Sequence, residues 1–158
     1  MNRRRLLLSI ALIGSFVGGA VVGGAIVFLR TVRANAQMLS MLMLGNSGSE
    51  SYVRYRYGSY SVAKAALLQH AEQLTSTPLH QSILGEAGAQ FDVGLTYGRL
   101  ALAAERAGQP DEAAQYMARA VEAFRVGGKP IDEAQVRRSI LQLDAAWDRR
   151  LSGDGPPR

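Results

Sequence analysis

The chain has 158 residues, a formal net charge of +5, two histidines and no cysteine, which excludes disulfides, cysteine-ligated zinc and thiol catalysis together. Three of its 18 basic residues precede a long apolar run, leaving 15 against 13 acidic ones in the remainder. That balance is too even for the clustered basic face that nucleic-acid binding needs.

Residues 6–29 (LLLSIALIGSFVGGAVVGGAIVFL) form a 24-residue run with no charged side chain. As a helix it would extend roughly 36 Å, enough to cross a hydrocarbon core of about 30 Å. The expected fold class is therefore all-α, with a single N-terminal transmembrane helix ahead of a helical domain. Arg3, Arg4 and Arg5 make residues 1–5 a basic N-terminus, against only Arg30 and Arg33 just behind the run. This bias predicts a cytoplasmic N-terminus and an extracytoplasmic body, periplasmic in a Gram-negative cell. The rival is a secretory signal cleaved at Gly18-Gly19-Ala20 or Ala34-Asn35-Ala36, but a signal core is usually about 7–15 residues. Ala11, Ser15, Gly19 and Gly23 recur at i+4, and Gly14 with Gly18 forms a GxxxG beside them. Such stripes let helix backbones approach closely in lipid, so a packed partner helix is expected, from a second copy or from another membrane protein.

Residues 30–58 read as a juxtamembrane helix and loop. Met38, Leu39, Met41, Leu42, Met43 and Leu44 are too apolar to stand in water uncovered, and either pack on the body or lie in the bilayer interface. The following GNSGSES, 45–51, is a loop by composition. Tyr52, Tyr55 and Tyr57 then interleave with Arg54 and Arg56. Such a run can stack on bases, sugars or lipid headgroups. It can also be a lead-in whose aromatics cover the next helix, and two arginines are a thin electrostatic footprint.

From Ser59 to Leu74 the spacing of Tyr60, Ala63, Leu67, His70 and Leu74 predicts a helix, with His70 read as a hydrogen-bonded core residue. Thr77-Pro78 is a start signal, and Leu84, Gly88, Phe91, Leu95, Gly98 and Leu102 keep one register up to a stop at Gly108. Gly85 and Gly88 are the points at which this long segment would divide. His80 has no second metal-ligand type at helical spacing. Pro110-Asp111-Glu112 opens a helix with the inner stripe Ala113, Met117, Ala120 and Phe124, closed by Gly127-Gly128. Pro130, Asp132 and Glu133 start the last one. Its inner stripe is Val136, Ile140, Leu143, Trp147 and Leu151, with Arg137, Arg138, Arg149 and Arg150 outward. The helical domain is thus placed at 59–150 and a disordered tail at 151–158.

No serine or threonine stands in an evident constellation with a histidine and a carboxylate, as nucleophilic catalysis requires. Gly127-Gly128-Lys129 runs into Pro130 and so makes no phosphate-binding loop. The acidic pairs Asp111-Glu112 and Asp132-Glu133 are explained by the helix dipole. The reading is of a non-enzyme with no cofactor and no metal.

The stretch LTYGRLALAAERAGQPDEAAQYMARAVEAF, Leu95 to Phe124, resembles a tetratricopeptide repeat, a 34-residue helix–turn–helix. Tyr97 and Leu100 match its large first-helix positions, Ala101 replaces the usual glycine, and Gly108 stands at the turn. Ala113 and Ala120 match small positions of the second helix, and Met117 the aromatic one. GSYSVAKAALLQHAEQL looks like a degraded second helix of the same kind, with Gly58 as its turn. What the resemblance implies is a concave groove lined by first-helix side chains, here Leu95, Leu102, Glu105 and Arg106, holding a peptide or protein. The expected function is a membrane-anchored adaptor, scaffold or assembly factor in a membrane or envelope complex. Its expected partners are other membrane or envelope proteins, the lipid bilayer and, through the span, a further copy, with no nucleic acid. An accessory structural subunit packed through its glycine-rich span is the alternative. A glycan- or envelope-binding module using the Tyr/Arg run is a third.

Overall fold

The computed structural model describes residue 30 and residues 34–76 and 78–151, apart from the side chains of 78–84, 150 and 151. The chain divides into two compact units, Met1–Leu39 and Ser40–Arg158. In the first, residues 34–39 are helical, with Met38 and Leu39 exposed.

The second unit is an assembly of helices: α1 (40–57), α2 (Tyr60–Ser76), α3 (Pro78–Arg106), α4 (Pro110–Val126) and α5 (Glu133–Leu151). The transmembrane part of the expected fold class is corrected here. Among the described residues no helix is long and apolar enough to cross a membrane. α3 has the length, at 29 residues, but it breaks at Gly85 and carries Glu86, Asp92, Arg99, Glu105 and Arg106. The run 6–29, with Ala11, Gly14, Ser15, Gly18, Gly19 and Gly23, lies outside the described residues, as does the tail beyond 151.

Residues 45–51 continue the helix where composition predicts a loop. The helix is held from its far end, where Tyr52 and Tyr55 are buried among Ala63, Leu67, Leu100 and Ala103. Ser51 adds a hydroxyl bond to the Gly48 carbonyl at 2.8 Å. α1 and α2 fold back on each other through Gly58, where a Cβ would stand 2.5 Å from the Arg54 carbonyl oxygen. Ser47 Oγ lies 3.1 Å from His70 Nδ1 across that hairpin. α2 and α3 are also antiparallel: Leu74 clusters with Val93, and Leu67, earlier in α2, with Leu100, later in α3.

α3 and α4 form the second hairpin, with Phe91 edge-on to Phe124 at 5.3 Å and Tyr97 stacked on Tyr116 at 6.3 Å. Its turn is a Schellman motif. Gln109 N–H bonds to the Ala104 carbonyl, Gly108 N–H to that of Glu105, and Gly108 takes the left-handed φ of 70°. α4 ends the same way at Gly128, with Lys129 N–H on the Phe124 carbonyl. A reciprocal box opens α5, in which Asp132 Oδ1 accepts from Gln135 N–H and Gln135 Oε1 from Asp132 N–H.

α5 crosses the others rather than pairing with one of them. Val136 and Ile140 are fully buried against Leu95, Met117 and Phe124 of α3 and α4. Asp144 reaches Arg99 of α3, and Trp147 and Asp148 reach Tyr52 of α1. The crossing is close because Gly98 offers no side chain. A Cβ there would sit 2.3 Å from Ile140 Cδ1.

Candidate functional site: a groove between three helices

α1 and α3 run in the same direction, since Arg99 lies over the Tyr52 ring at 5.1 Å and Arg106 over Tyr55 at 4.6 Å. They present one face, and α5 lies across part of it. What α5 leaves uncovered is a groove of about 480 Å³. Met41, Leu44, Gly45 and Gly48 of α1 form one wall, Asp92, Leu95 and Thr96 of α3 the floor, and Leu143 and Trp147 of α5 the other wall. Gly45 and Gly48, three residues apart on one helix face, widen it. A Cβ on Gly45 would meet nothing within 4 Å, and one on Gly48 would rest against the His70 ring.

One end of the groove is closed by a polar cluster. Arg99 donates through Nε and Nη2 to Asp144 Oδ1 at 3.0 and 2.8 Å, with both side chains largely buried. Tyr52 donates its hydroxyl to the Asp144 carbonyl at 3.0 Å and to Asp148 Oδ1 at 2.7 Å. Arg56 holds the other Asp148 oxygen. Burial, then the Asp148 bond and the Asp144 charge, push the Tyr52 phenol above its ordinary range. Burial and the nearby Asp144 carry Tyr55 up to about 12. These phenols stay protonated at neutral pH and act as hydrogen-bond donors and apolar surface. The hydrogen bond from Tyr52, followed by Arg56, holds Asp148 below its usual value.

Asp92 differs. It is half-buried on the groove floor, and no ion pair or hydrogen bond to its carboxylate occurs among the described residues. Thr96 bonds only to its backbone carbonyl, at 2.8 Å. Burial raises its pKa, and the Arg99 charge offsets part of that rise.

The residues expected in a groove are distributed. Leu95 is on this floor and buried, whereas Leu102 packs half-buried against the α4–α5 core. Glu105 turns away to pair with Arg137 of α5, and Arg106 donates to the Tyr55 carbonyl at 3.3 Å. The Tyr/Arg run is also divided: Tyr52 and Tyr55 are interior, Tyr57 is 72% exposed, Arg54 pairs with Glu50 and Arg56 with Asp148. Asp92 and Asp144 are not singled out by the sequence, and Gly45 and Gly48 stand there only as parts of an expected loop. The one available signal was the i,i+3 pair of glycines, which reads as loop punctuation unless the helix is already known.

A larger depression of about 650 Å³ lies between α4 and α5, over Met117 and Val121. Its charged lining is Glu105, Glu122, Asp132, Glu133 and Arg137, of which Arg137 pairs with Glu105 and Glu133, Glu122 pairs with Arg125 beside it, and Asp132 caps α5. No group of three or more metal-ligating side chains occurs among the described residues. Compared with family models, curated proteins and solved structures, the chain matches none.

Proposed function

We propose that the chain is a helical adaptor, scaffold or assembly factor that holds a segment of another protein in the α1–α3–α5 groove. The observation that carries this reading is the groove itself, open, walled by Met41, Leu44, Leu143 and Trp147, and bounded by α1, α3 and α5, with His70 of α2 at its edge, rather than by loops. Sites built on helices hold their side chains with little conformational freedom, which suits recognition. The tetratricopeptide resemblance of Leu95 to Phe124 supports the same reading. Its setting in a membrane or envelope complex rests on the apolar sequence of residues 6–29 alone.

The test is site-specific photocrosslinking in the native host. A benzoylphenylalanine replacing Ser49 in the groove is expected to give a discrete adduct with one protein, identifiable by mass spectrometry. The adduct should disappear when Gly45→Trp fills the groove. An adduct that survives Gly45→Trp, or forms equally from Val126 on α4, overturns the reading. A second reading, an accessory structural subunit, is favoured by the exposed Met38, Leu39, Met41, Leu42 and Met43. Adducts confined to position 42 would support it.

A further inference from the structure

We infer that the groove selects a partner segment carrying a lysine or arginine beside apolar residues, with the cation seated at Asp92. The inference rests on the groove reading and goes beyond it by naming the partner's chemistry.

Charge complementarity carries the argument. Among the described residues, five charged side chains line the groove or close its end: Asp92, Arg99, Asp144, Asp148 and Arg56. Arg99 is engaged by Asp144 through two bonds to one oxygen, so its charge is already answered. Arg56 answers Asp148, so three carboxylates against two guanidinium groups leave a net charge of −1, and the unanswered carboxylate is Asp92. His70, at the groove edge, is engaged with Ser47. Other half-buried charges near the hairpins are paired, Arg56 with Asp148, Lys64 with Glu112, and Arg137 with both Glu105 and Glu133, whereas Glu86 and Asp111, also without an ion pair among the described residues, stand exposed to water. A half-buried carboxylate without a partner is unfavourable in the empty protein, because burial penalises its ionised form. A cation from a partner removes that penalty and gains a charge-assisted hydrogen bond. Met41, Leu44 and Leu143 would receive the apolar neighbours of that cation, and Trp147, 37% exposed, offers its ring to the methylene stem.

The experiment pans phage-displayed random nonapeptides on the full chain, counter-selecting on Gly45→Trp. The expected winners carry a Lys or Arg flanked by Leu, Ile, Phe or Met. A synthetic winner should lose affinity about tenfold or more on Asp92→Asn, and similarly when its cation is replaced by norleucine. On Asp92→Asn protein the norleucine change should then matter less than about threefold, which a merely structural role for Asp92 would not produce. Winners sensitive to Gly45→Trp but indifferent to Asp92→Asn, or winners enriched in acidic residues, overturn the inference and leave the groove reading standing. If no enriched peptide is sensitive to Gly45→Trp, both fall. Circular dichroism melting of Asp92→Asn, expected at or above the wild-type temperature, shows that any lost binding is not lost folding.

Discussion

Two carboxylates in α3 and α5 have opposite energetic signs. Asp144, only 3% exposed, answers Arg99, and removing it leaves a largely buried guanidinium without its counter-charge. Asp144→Ala is expected to destabilise the fold by about 3 kcal/mol in urea unfolding, and adding Arg99→Met should recover a large part of that. A double variant whose loss equals the sum of the two single losses would show that the pair does not act as a unit. Asp92 pulls the other way. Its folded pKa lies above its unfolded value, so ionisation works against folding, increasingly as pH rises through the unfolded value of about 4 and fully above the raised one. Asp92→Asn should therefore melt higher than wild type at pH 7, with the difference vanishing near pH 3. A constant difference across that range would place the effect elsewhere. Glu105 has the usual sign. Arg137 lowers its pKa, so its contribution is present at neutral pH and is lost as pH falls through the folded value.

At the scale of the element, two helical glycines make contrary predictions. Gly45→Ala meets nothing and gains helix propensity, so it should stabilise by roughly 0.5–1 kcal/mol. Gly98→Leu must displace Ile140 and Val136, and should destabilise by about 1–3 kcal/mol. Thermal denaturation of the two variants checks both signs. α4 was the most legible helix. Pro110 and Gly127-Gly128 mark its ends, and the predicted stripe Ala113, Met117, Ala120 and Phe124 is buried throughout. Gly85 divides α3 as its composition suggested, with a φ of 70° inside the segment. α1 was legible only in part: a helix was expected up to residue 44, but 45–51 has the residues of a loop and continues that helix toward the buried Tyr52 and Tyr55. The groove was half legible. Leu95 stood on the expected face, whereas Asp92 and the α5 wall depend on where a later helix crosses, and local spacing carries no record of that.

For the whole molecule, part of the near-even balance of charges behind the apolar run is answered by specific ion pairs among the described residues, whereas Asp92, half-buried at the groove floor, is in none of them. The two hairpins, α1–α2 and α3–α4, are made by neighbours in sequence. α5 is different in kind, since Tyr52 bonds to Asp144 and Asp148 at separations of 92 and 96 residues. Hairpin contacts close short loops and form early, whereas contacts across such distances wait on the ordering of everything between. Contact separation therefore predicts that the α5 wall of the groove is completed last. A chain with both hairpins folded would still have an open trough with a single side, and the docking of the last helix, with Trp147 against Tyr52, supplies the other.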